Sequence, residues 1–397
     1  MAGGVRVLSI YEGFFTGGAR VLHSSVVAGL HDGDRQTHSV LSINREMHRE
    51  TVLQKMEEDR CFRMLCAAGV GVTSLGRIQR SGSDQGAFSV SEVARAAGHL
   101  RRADVVLSLK EQPLRLINQI DQPRRPVVVC LHRSDPENQG SALSELRTAI
   151  ADGRVIACIC CAESTRDAYR AAGIPGRMLQ VIPNGVDLTR FRPVSDAKRV
   201  RLRRSLGVPR DGIAVVFAAR YDPMKDVTLL LRSARTFLRR ERRGHVLMCG
   251  TGMSGGNPAL RLDIDTAFAD QPQLRHRLHL LGKCHDMETV YAAADVVTLT
   301  SAHGEAAPLC LIEGMMCGAV PVTTDIGDSA VIVAGHGMLT PAHPDAISAA
   351  WSEAAARRPE FAGSLLRSRP RFSQTRMVAA YAASIERISR DALKLGV

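Results

Sequence analysis

The sequence has few aromatic residues and no long apolar run. Aromatic side chains are 4% of 397 residues, with one tryptophan, which disfavours a stacking platform for nucleic acid or carbohydrate. No apolar stretch reaches the roughly 20 residues that span a bilayer, and residues 1–11 lack the basic and apolar regions of a signal peptide. We therefore expect a cytoplasmic protein without a membrane partner.

Cysteine patterns typical of zinc sites are also missing. Ten cysteines occur, none in paired zinc-ligand spacing. Cys158, Cys160 and Cys161 crowd one apolar strand-like run, where we expect small buried side chains in a reducing compartment. Asp263-Ile264-Asp265 has the form of a metal-binding D-x-D sequence, but it lies in a helix-like run and is interpreted as surface carboxylates. The sequence predicts no metal and no cofactor.

The net charge of +12, from 52 basic and 40 acidic residues, comes mainly from arginine. The densest runs, residues 198–204 and 239–243, lie in helix-like stretches without interleaved aromatic residues or a known nucleic-acid motif. We interpret them as solvated helix faces. No nucleic-acid partner is predicted.

Short β-rich runs alternate with helical periodicity, which predicts parallel sheets covered by helices. The predicted strands of the first half are Val5–Ser9, Ser39–Ile43, Val105–Leu109, Val127–Leu131 and Val155–Cys160. The series restarts after the turn-rich residues 182–187, with strands at Ile213–Ala218, Val246–Cys249, Leu278–Leu281, Val296–Thr300 and Val320–Thr323. The second series has helices at about 226–242, 286–294 and 308–317.

Two doubly wound, Rossmann-like α/β domains follow from this restart. We assign residues 1–188 to an acceptor-side domain, 189–374 to a donor-binding domain, and 375–397 to a helix that packs back on the first domain. Ligands bind beyond the carboxyl ends of such strands. Functional residues are therefore expected directly after strands, in a cleft between facing domains.

Polar residues do follow several of these strands. Glu305 lies in the loop after Val296–Thr300, and Glu313 lies eight positions on, in a helix that begins around Pro308. The two carboxylates can hold sugar hydroxyls while the helix N-terminus faces phosphates. The spacing alone favours one exposed loop glutamate and one helix-surface glutamate.

Basic and glycine residues follow other strands. Arg220 and Lys225 come just after Ile213–Ala218, in a segment that is otherwise an ordinary surface turn. Gly17 and Gly18 open a helix after the first strand, without the spacing of a complete dinucleotide motif. His132 ends the strand Val127–Leu131.

The segment from Glu305 to Met315, EAAPLCLIEGM, resembles the two-glutamate signature of family-4 retaining glycosyltransferases, and the resemblance covers nearly the whole chain. It implies the GT-B fold and transfer of a hexose or pentose from a UDP-sugar without a metal. Arg220 and Lys225 would contact the pyrophosphate, Glu305 the sugar and Glu313 the ribose. Ala307 and Pro308 replace an aromatic residue and a glycine of many members, so the sugar pocket is expected to differ.

The resemblance implies further contacts. It places Gly17 and Gly18 against the donor phosphates, and His132 near the transferred sugar and the reacting hydroxyl. It places the nucleobase beside two strand-end segments and the sugar beside the start of the second-half helix. These donor contacts are Thr251, Gly252, Lys283, Ala307, Pro308 and Leu309.

Acceptor identity rests on weaker signals. Residues 11–20, YEGFFTGGAR, are similar to transferases that complete aminoglycoside antibiotics, whose acceptors are polycationic. Strand-end carboxylates suited to such amines are Glu12, Glu111, Asp135 and Glu137. A membrane lipid or polymer precursor is the alternative acceptor, but it requires a basic helix with an apolar face, and residues 48–65 are mixed in charge. A non-catalytic nucleotide-sugar sensor is a further alternative.

Overall fold

The computed structural model describes residues 4–15, 17–49, 52–80 and 86–395, which form two compact units. The first unit comprises Met1–Asn184 and Thr375–Val397, and the second comprises Gly185–Gln374. Among the described residues, no helix combines the length and apolar character that crossing a bilayer requires.

The first unit is built on an eight-stranded sheet of described residues, in the order β3-β2-β1-β5-β6-β7-β8, with β4 also paired to β2. All neighbours are parallel except β2 and β3. The strands are Val5–Tyr11 (β1), Gln36–Arg49 (β2), Val52–Lys55 (β3), Gly71–Gln79 (β4), Val105–Leu109 (β5), Val127–Leu131 (β6), Val155–Cys160 (β7) and Leu179–Val181 (β8).

Central strands of this sheet are apolar on both faces, as expected for a parallel sheet between helices. Every residue of β5 and β6 is buried. The covering α-helices are Gly18–Leu30 (α1), Arg60–Ala67 (α2), Val90–Arg101 (α3), Leu114–Ile117 (α4), Ala142–Ala151 (α5) and Glu163–Ala171 (α6). Short 3-10 helices occupy Met56–Glu58, Pro136–Asn138 and Gly176–Met178.

The second unit has a fully parallel sheet in the order β11-β10-β9-β12-β13-β14. Its strands are Ile213–Ala218 (β9), Gly244–Cys249 (β10), Leu278–Gly282 (β11), Val296–Leu299 (β12), Val320–Thr323 (β13) and Met338–Leu339 (β14). Its core is a single cluster of aliphatic and aromatic side chains that includes Phe217, Phe237 and Trp351.

Helices cover this second sheet as well. They are Asp196–Ser205 (α7), Val227–Arg240 (α8), Pro258–Ala267 (α9), Met287–Ala293 (α10), Leu309–Met316 (α11), Ser329–Val333 (α12), Pro344–Ala356 (α13) and Arg358–Ser368 (α14), with 3-10 helices at Pro223–Lys225, Pro272–Arg277 and Arg369–Phe372. The last helix, Gln374–Leu395 (α15), belongs almost wholly to the first unit. There it buries Met377, Tyr381 and Ile385.

The predicted α/β class with two Rossmann-like domains is confirmed. The three cysteines of residues 158–161 are buried, as expected, and form no disulfide. The interpretation of residues 198–204 as a purely solvated face is wrong at Arg203, which is 4% exposed. Its guanidinium binds the Asp295 carboxylate and the carbonyls of Ala293, Arg210 and Gly212, because these groups at the sheet edge need donors.

Candidate functional site

Strand order in the second sheet places two loops side by side. From β9 the chain moves outward through β10 to β11, and then returns to the other side of β9 with β12. The loops after β9 and β12 therefore diverge at one point of the sheet edge, the position where parallel α/β sheets bind ligands. Arg220 and Lys225 follow β9, and Glu305 follows β12.

The structure brings Lys225 and Glu305 into direct contact. The Lys225 ammonium forms an ion pair with Glu305 Oε1, and the two side chains are 13% and 8% exposed. Arg220 lies nearby in sequence, with Nη2 3.0 Å from Asp222 Oδ2, and is about a quarter exposed. Two cations, each paired with a carboxylate, thus occupy the predicted ligand position.

The Glu305 loop is fixed by hydrogen bonds around it. Ser301 Oγ donates to Glu305 Oε1 over 2.6 Å, and Thr324 Oγ1 donates to the Ser301 carbonyl over 3.1 Å. A side chain at Gly327, whose φ is +62°, would place Cβ 2.3 Å from the Glu305 carbonyl oxygen. The carboxylate is therefore held in one orientation before any ligand binds.

The loops after β9 and β12 are also joined through their backbones. Thr300 Oγ1 donates to the carbonyls of Lys225 and Asp226 over 3.0 and 3.2 Å. The Ala302 amide donates to the Met224 carbonyl over 2.9 Å. These contacts couple the position of the lysine to that of the glutamate loop.

Helix α11 begins one residue later than predicted. Pro308 precedes it with an extended ψ of 115°, and Leu309 is the first helical residue. Glu313 is half-buried on this helix, where burial and the neighbouring Glu313 carboxylate raise the pKa of Tyr291 well above its ordinary value. A Cβ on Gly314 would lie 2.6 Å from Val297. The helix therefore packs closely on β12.

The predicted base-binding segments lie at the ends of β10 and β11. The Gly250 amide donates to the Gly282 carbonyl over 2.7 Å, and Gly250 and Gly252 have φ values of 133° and 80°. Thr251 Oγ1 is enclosed and has no hydrogen-bond partner among the described residues, whereas Lys283 is exposed. The two loops form one connected edge.

In the first unit, β1 lies between β2 and β5. The loops after β1 and β5 therefore lead to opposite sides of the sheet order, and the carboxyl end of β1 is the corresponding ligand position of this sheet. Gly17 and Gly18 stand at the start of α1, and Gly17 has open space around the position of a Cβ. The Glu12 carbonyl accepts from the backbone and side-chain nitrogens of Asn44 over 3.0 and 2.8 Å. This contact fixes the end of β1 to β2.

His132 follows β6 as a half-buried residue. Burial, together with the neighbouring His23 and Lys110, lowers its pKa to about 3. The ring is therefore neutral at pH 7. Its Nε2 is enclosed without a hydrogen-bond partner within the part of the chain that the structure describes.

The four predicted acceptor carboxylates have different surroundings. Glu111 is 1% exposed and accepts hydrogen bonds from Tyr169 and Gln139, and burial raises its pKa to about 7. Asp135 accepts two hydrogen bonds of 2.6 Å from Arg133. Glu137 is exposed in the 3-10 helix Pro136–Asn138, and Glu12 is half-buried. Two of the four carboxylates are thus already bound by neighbouring side chains.

Some residues of these sites have no clear sequence signal. Ser301 could have been found, because a polar residue directly follows the predicted strand. Tyr291 and Tyr169 could not have been found, because they are distant in sequence from Glu313 and Glu111. Only the fold brings each tyrosine to its carboxylate.

The two aspartates of the D-x-D sequence have partners of their own. Asp263 accepts a 2.7 Å hydrogen bond from Tyr221, and Asp265 pairs with Arg275. Across residues 4–15, 17–49, 52–80 and 86–395, no three His, Cys, Asp or Glu residues form a group suited to a metal ion.

Two family models match the chain one after the other. Residues 21–190 match the model described as Glycosyltransferase Family 4, and residues 212–357 match the model described as Glycosyl transferases group 1. Each half of the chain is thus similar to a glycosyltransferase family model. The second match contains β9, β12 and α11, and therefore Arg220, Lys225, Glu305 and Glu313.

Curated glycosyltransferases are similar to this chain over part of their length. The D-inositol 3-phosphate glycosyltransferase of Saccharomonospora viridis is 34% identical over 193 residues, which is 46% of this chain and 43% of the relative. The protein of the same name from Geodermatophilus obscurus is 29% identical over 269 residues, 64% of this chain and 58% of the relative. The chain thus spans about half the length of these relatives.

Solved structures match nearly the whole chain. The Anabaena protein Alr3699/HepE, solved in complex with UDP, has a TM-score of 0.76 at 20% identity, covering 96% of this chain and 100% of that one. A glycosyltransferase from Rickettsia africae also reaches 0.76, at 14% identity, with 97% and 98% covered. At such identities the likeness shows the GT-B fold alone.

Proposed function

We propose that this protein transfers a hexose or pentose from a UDP-sugar to a hydroxyl group of a small polar acceptor, with retention of anomeric configuration and without a metal. The observation that carries the proposal is the Lys225–Glu305 contact where β9 and β12 diverge. A cation and a sugar-binding carboxylate stand there beside the start of α11.

Each chemical group of the UDP-sugar has a suitable partner at this position. Arg220 and Lys225 supply positive charge for the pyrophosphate, and Glu305 and Glu313 supply acceptors for hydroxyls of the transferred sugar and the ribose. Backbone groups at Ala307, Pro308 and Leu309 line the start of α11, beside the sugar. Thr251, Gly252 and Lys283 border the uracil, in keeping with the UDP of the Anabaena relative.

The proposed reaction needs no enzyme nucleophile. The acceptor oxygen attacks the anomeric carbon on the face that the phosphate leaves, the bond from this carbon to the phosphate oxygen breaks, and a phosphate oxygen takes the acceptor proton. Arg220 and Lys225 stabilise the negative charge that grows on the departing diphosphate, which lowers the barrier because this charge is largest in the transition state.

The first unit contributes to the sugar and acceptor side in this proposal. Gly17 and Gly18 offer the free amides of the α1 N-terminus to the donor phosphates. His132 is neutral, so its unpartnered Nε2 accepts or donates one hydrogen bond to a sugar or acceptor hydroxyl, according to its tautomer.

The surroundings of the first-unit carboxylates favour an anionic acceptor over a polycationic aminoglycoside. Glu111 is already bound by Tyr169 and Gln139, and Asp135 by Arg133, so neither carboxylate is available to an amine without losing a partner. Lys110, which directly follows β5, places a cation beside Glu111. The names of the curated relatives fit a phosphorylated cyclitol.

A matrix of donors and acceptors tests this proposal. Purified protein is incubated with UDP-glucose, UDP-N-acetylglucosamine or UDP-xylose, each with a phosphorylated inositol, inositol or an amino-cyclitol saccharide, and products are weighed by mass spectrometry. We expect one glycosyl residue on the phosphorylated inositol, of unchanged anomeric configuration, with a metal chelator present. Donor binding without any transfer would indicate a sensor, and transfer only to a lipid precursor would reject the polar acceptor.

A further inference from the structure

A cavity of about 120 Å³ lies in the second unit, between the last turn of α11 and one face of α14. Met315 and Met316 of α11 and Leu365 of α14 are buried and form its apolar walls. Pro193 and Leu366 also line it and are exposed, Leu366 to 63%. The cavity therefore opens to solvent and is apolar on the inside.

The size and walls of this cavity suit an apolar group of about six carbon atoms. An apolar protein cavity of about 150 Å³ holds benzene, and the volume here is only slightly smaller. The unbranched side chains of Met315 and Met316 adapt their shape to a neighbouring group. Transfer of an apolar group from water to such walls is favourable, because it removes apolar surface from water.

One arginine of the cavity has unused hydrogen-bond donors. Arg358 is half-buried, and its Nε donates to the Gly318 carbonyl over 3.0 Å. Within residues 4–15, 17–49, 52–80 and 86–395, neither its Nη1 nor its Nη2 has a hydrogen-bond partner. Arg369 also lines the cavity, but its Nη1 and Nη2 donate to three backbone carbonyls. Arg358 therefore presents a charged group that can bind a ligand.

The charges around Arg358 favour a negative ligand. Arg199 and Arg203 each bind one oxygen of the Asp295 carboxylate at 2.5 Å, so this carboxylate is already shared by two arginines. Asp196, the other carboxylate near Arg358, is exposed on α7. Burial, and then the charge of Arg199, lower the pKa of Arg358 from its ordinary value. Three arginines thus face two carboxylates, and a partly buried charge of this kind is stabilised by an anion.

We propose that the cavity binds a small carboxylic acid whose remainder is apolar, with the carboxylate on Nη1 and Nη2 of Arg358 and the apolar part between α11 and α14. A guanidinium matches a carboxylate in geometry, because two parallel N–H groups meet two oxygens. The cavity lies at the other end of α11 from Pro308, where the sugar contacts are predicted. This inference therefore does not rest on the proposed function.

Saturation-transfer NMR of the full-length protein with benzoate tests the ligand class. We expect benzoate to bind with a dissociation constant of about 1 mM, both without UDP and with saturating UDP. Benzylamine and benzamide carry the ring without the negative charge, acetate carries the charge without the ring, and each should bind at least about tenfold more weakly. Equal binding of benzylamine and benzoate, or displacement of benzoate by UDP, would overturn the inference.

An arginine variant tests the polar contact. Arg358→Gln removes the charge and should weaken benzoate binding about tenfold or more, since a charge-assisted hydrogen bond is lost. Arg367→Gln is the matched control, because Arg367 is an exposed arginine of the same helix that does not line the cavity. Equal affinity of the wild type and Arg358→Gln would contradict the role of Arg358.

A second variant tests the cavity while keeping its charges. Ala362 lines the cavity and is exposed, so Ala362→Trp should cover the mouth and abolish benzoate binding. Gly363→Trp places the same ring at the next position, outside the cavity, and should leave binding unchanged. Thermal unfolding shows whether each variant is folded, and if Arg358→Gln is not, Ala362→Trp still decides. Undiminished benzoate binding by folded Ala362→Trp would place the ligand elsewhere and overturn the inference.

Discussion

The Lys225–Glu305 ion pair is nearly enclosed by protein, so each buried charge is stabilised mainly by the other. The side chains are 13% and 8% exposed, and removing one partner of such a pair leaves a buried charge that costs about 3 to 5 kcal/mol. We predict that Lys225→Met lowers the free energy of unfolding by about this amount and abolishes transfer. Urea unfolding and a product assay measure the two effects.

The double variant Lys225→Met/Glu305→Leu separates stability from function. With both charges removed, stability should largely return while transfer stays absent. Lys198→Met, an exposed lysine of α7, is the control and should match the wild type in both assays. Full transfer by the double variant would show that neither charge acts in the reaction.

Arg220 is more exposed than Lys225, and its proposed role is in the reaction. Arg220→Ala removes a charge-assisted contact worth about 1.5 to 3 kcal/mol, so kcat should fall about ten- to a hundredfold with little change in stability. Arg232→Ala, on the exposed side of α8, should have no effect. Steady-state rates decide, and an unchanged kcat in Arg220→Ala would contradict the assignment.

Residue positions could be predicted from the sequence where a motif and a strand end coincide. Arg220, Lys225 and Glu305 each follow a predicted strand, and the fold brings the lysine and the glutamate together. The burial of Glu111 could not be predicted, because Tyr169, 58 positions away, is brought to it by α6. Contacts between distant elements are decided by packing, which a local pattern does not contain.

At the level of elements, helix α11 depends on the absence of a side chain at Gly314. A Cβ there would lie 2.6 to 2.8 Å from three side-chain atoms of Val297 on β12. We predict that Gly314→Ala displaces the helix, destabilises the protein by about 1 to 3 kcal/mol, and weakens donor binding through Glu313. Thermal unfolding and UDP titration measure these effects.

Gly363, on the exposed side of α14, is the matched control. A Cβ there would meet only the end of the Arg367 side chain, at 3.2 Å, which can move. Gly363→Ala should therefore leave stability unchanged or raise it by about 0.5 to 1 kcal/mol, since alanine favours a helix. Equal effects of the two substitutions would contradict the packing argument.

The strands of both sheets were predictable where β-branched and apolar residues form short runs. The predicted bounds of β5, β6, β7, β9 and β13 agree with the structure. The sequence did not reveal β3, β4, β8 and β14, which are edge strands or contain polar residues. Pairing with β2, which continues beyond the predicted Ser39–Ile43 to Arg49, stabilises β3 and β4.

At the level of the whole molecule, buried histidines connect stability to pH. Burial lowers the pKa of His23 to about 3 and those of His38 and His245 to about 4. The unfolded chain therefore binds more protons than the folded one below about pH 6.5. Stability contributed by the neutral rings is present above pH 6.5 and is lost as pH falls toward these values.

Urea unfolding at pH 7, 6 and 5 tests this prediction. The free energy of unfolding should fall as the pH is lowered. Glu111 opposes this trend, because burial raises its pKa to about 7 and the folded state therefore binds a proton there more tightly than the unfolded chain does. His245→Gln should reduce the slope and Glu111→Gln should increase it. A free energy that is constant from pH 7 to pH 5 in all three proteins would contradict the burial argument.

The function proposed for the whole molecule depends on a nucleotide site in the second unit. Titration of UDP followed by calorimetry tests it most directly, in the wild type, in Glu313→Gln and in Glu360→Gln, an exposed glutamate of α14. We predict one UDP per chain, affinity about tenfold weaker in Glu313→Gln, and no change in Glu360→Gln. No heat of binding in the folded wild type, or equal affinity in all three proteins, would contradict the central claim.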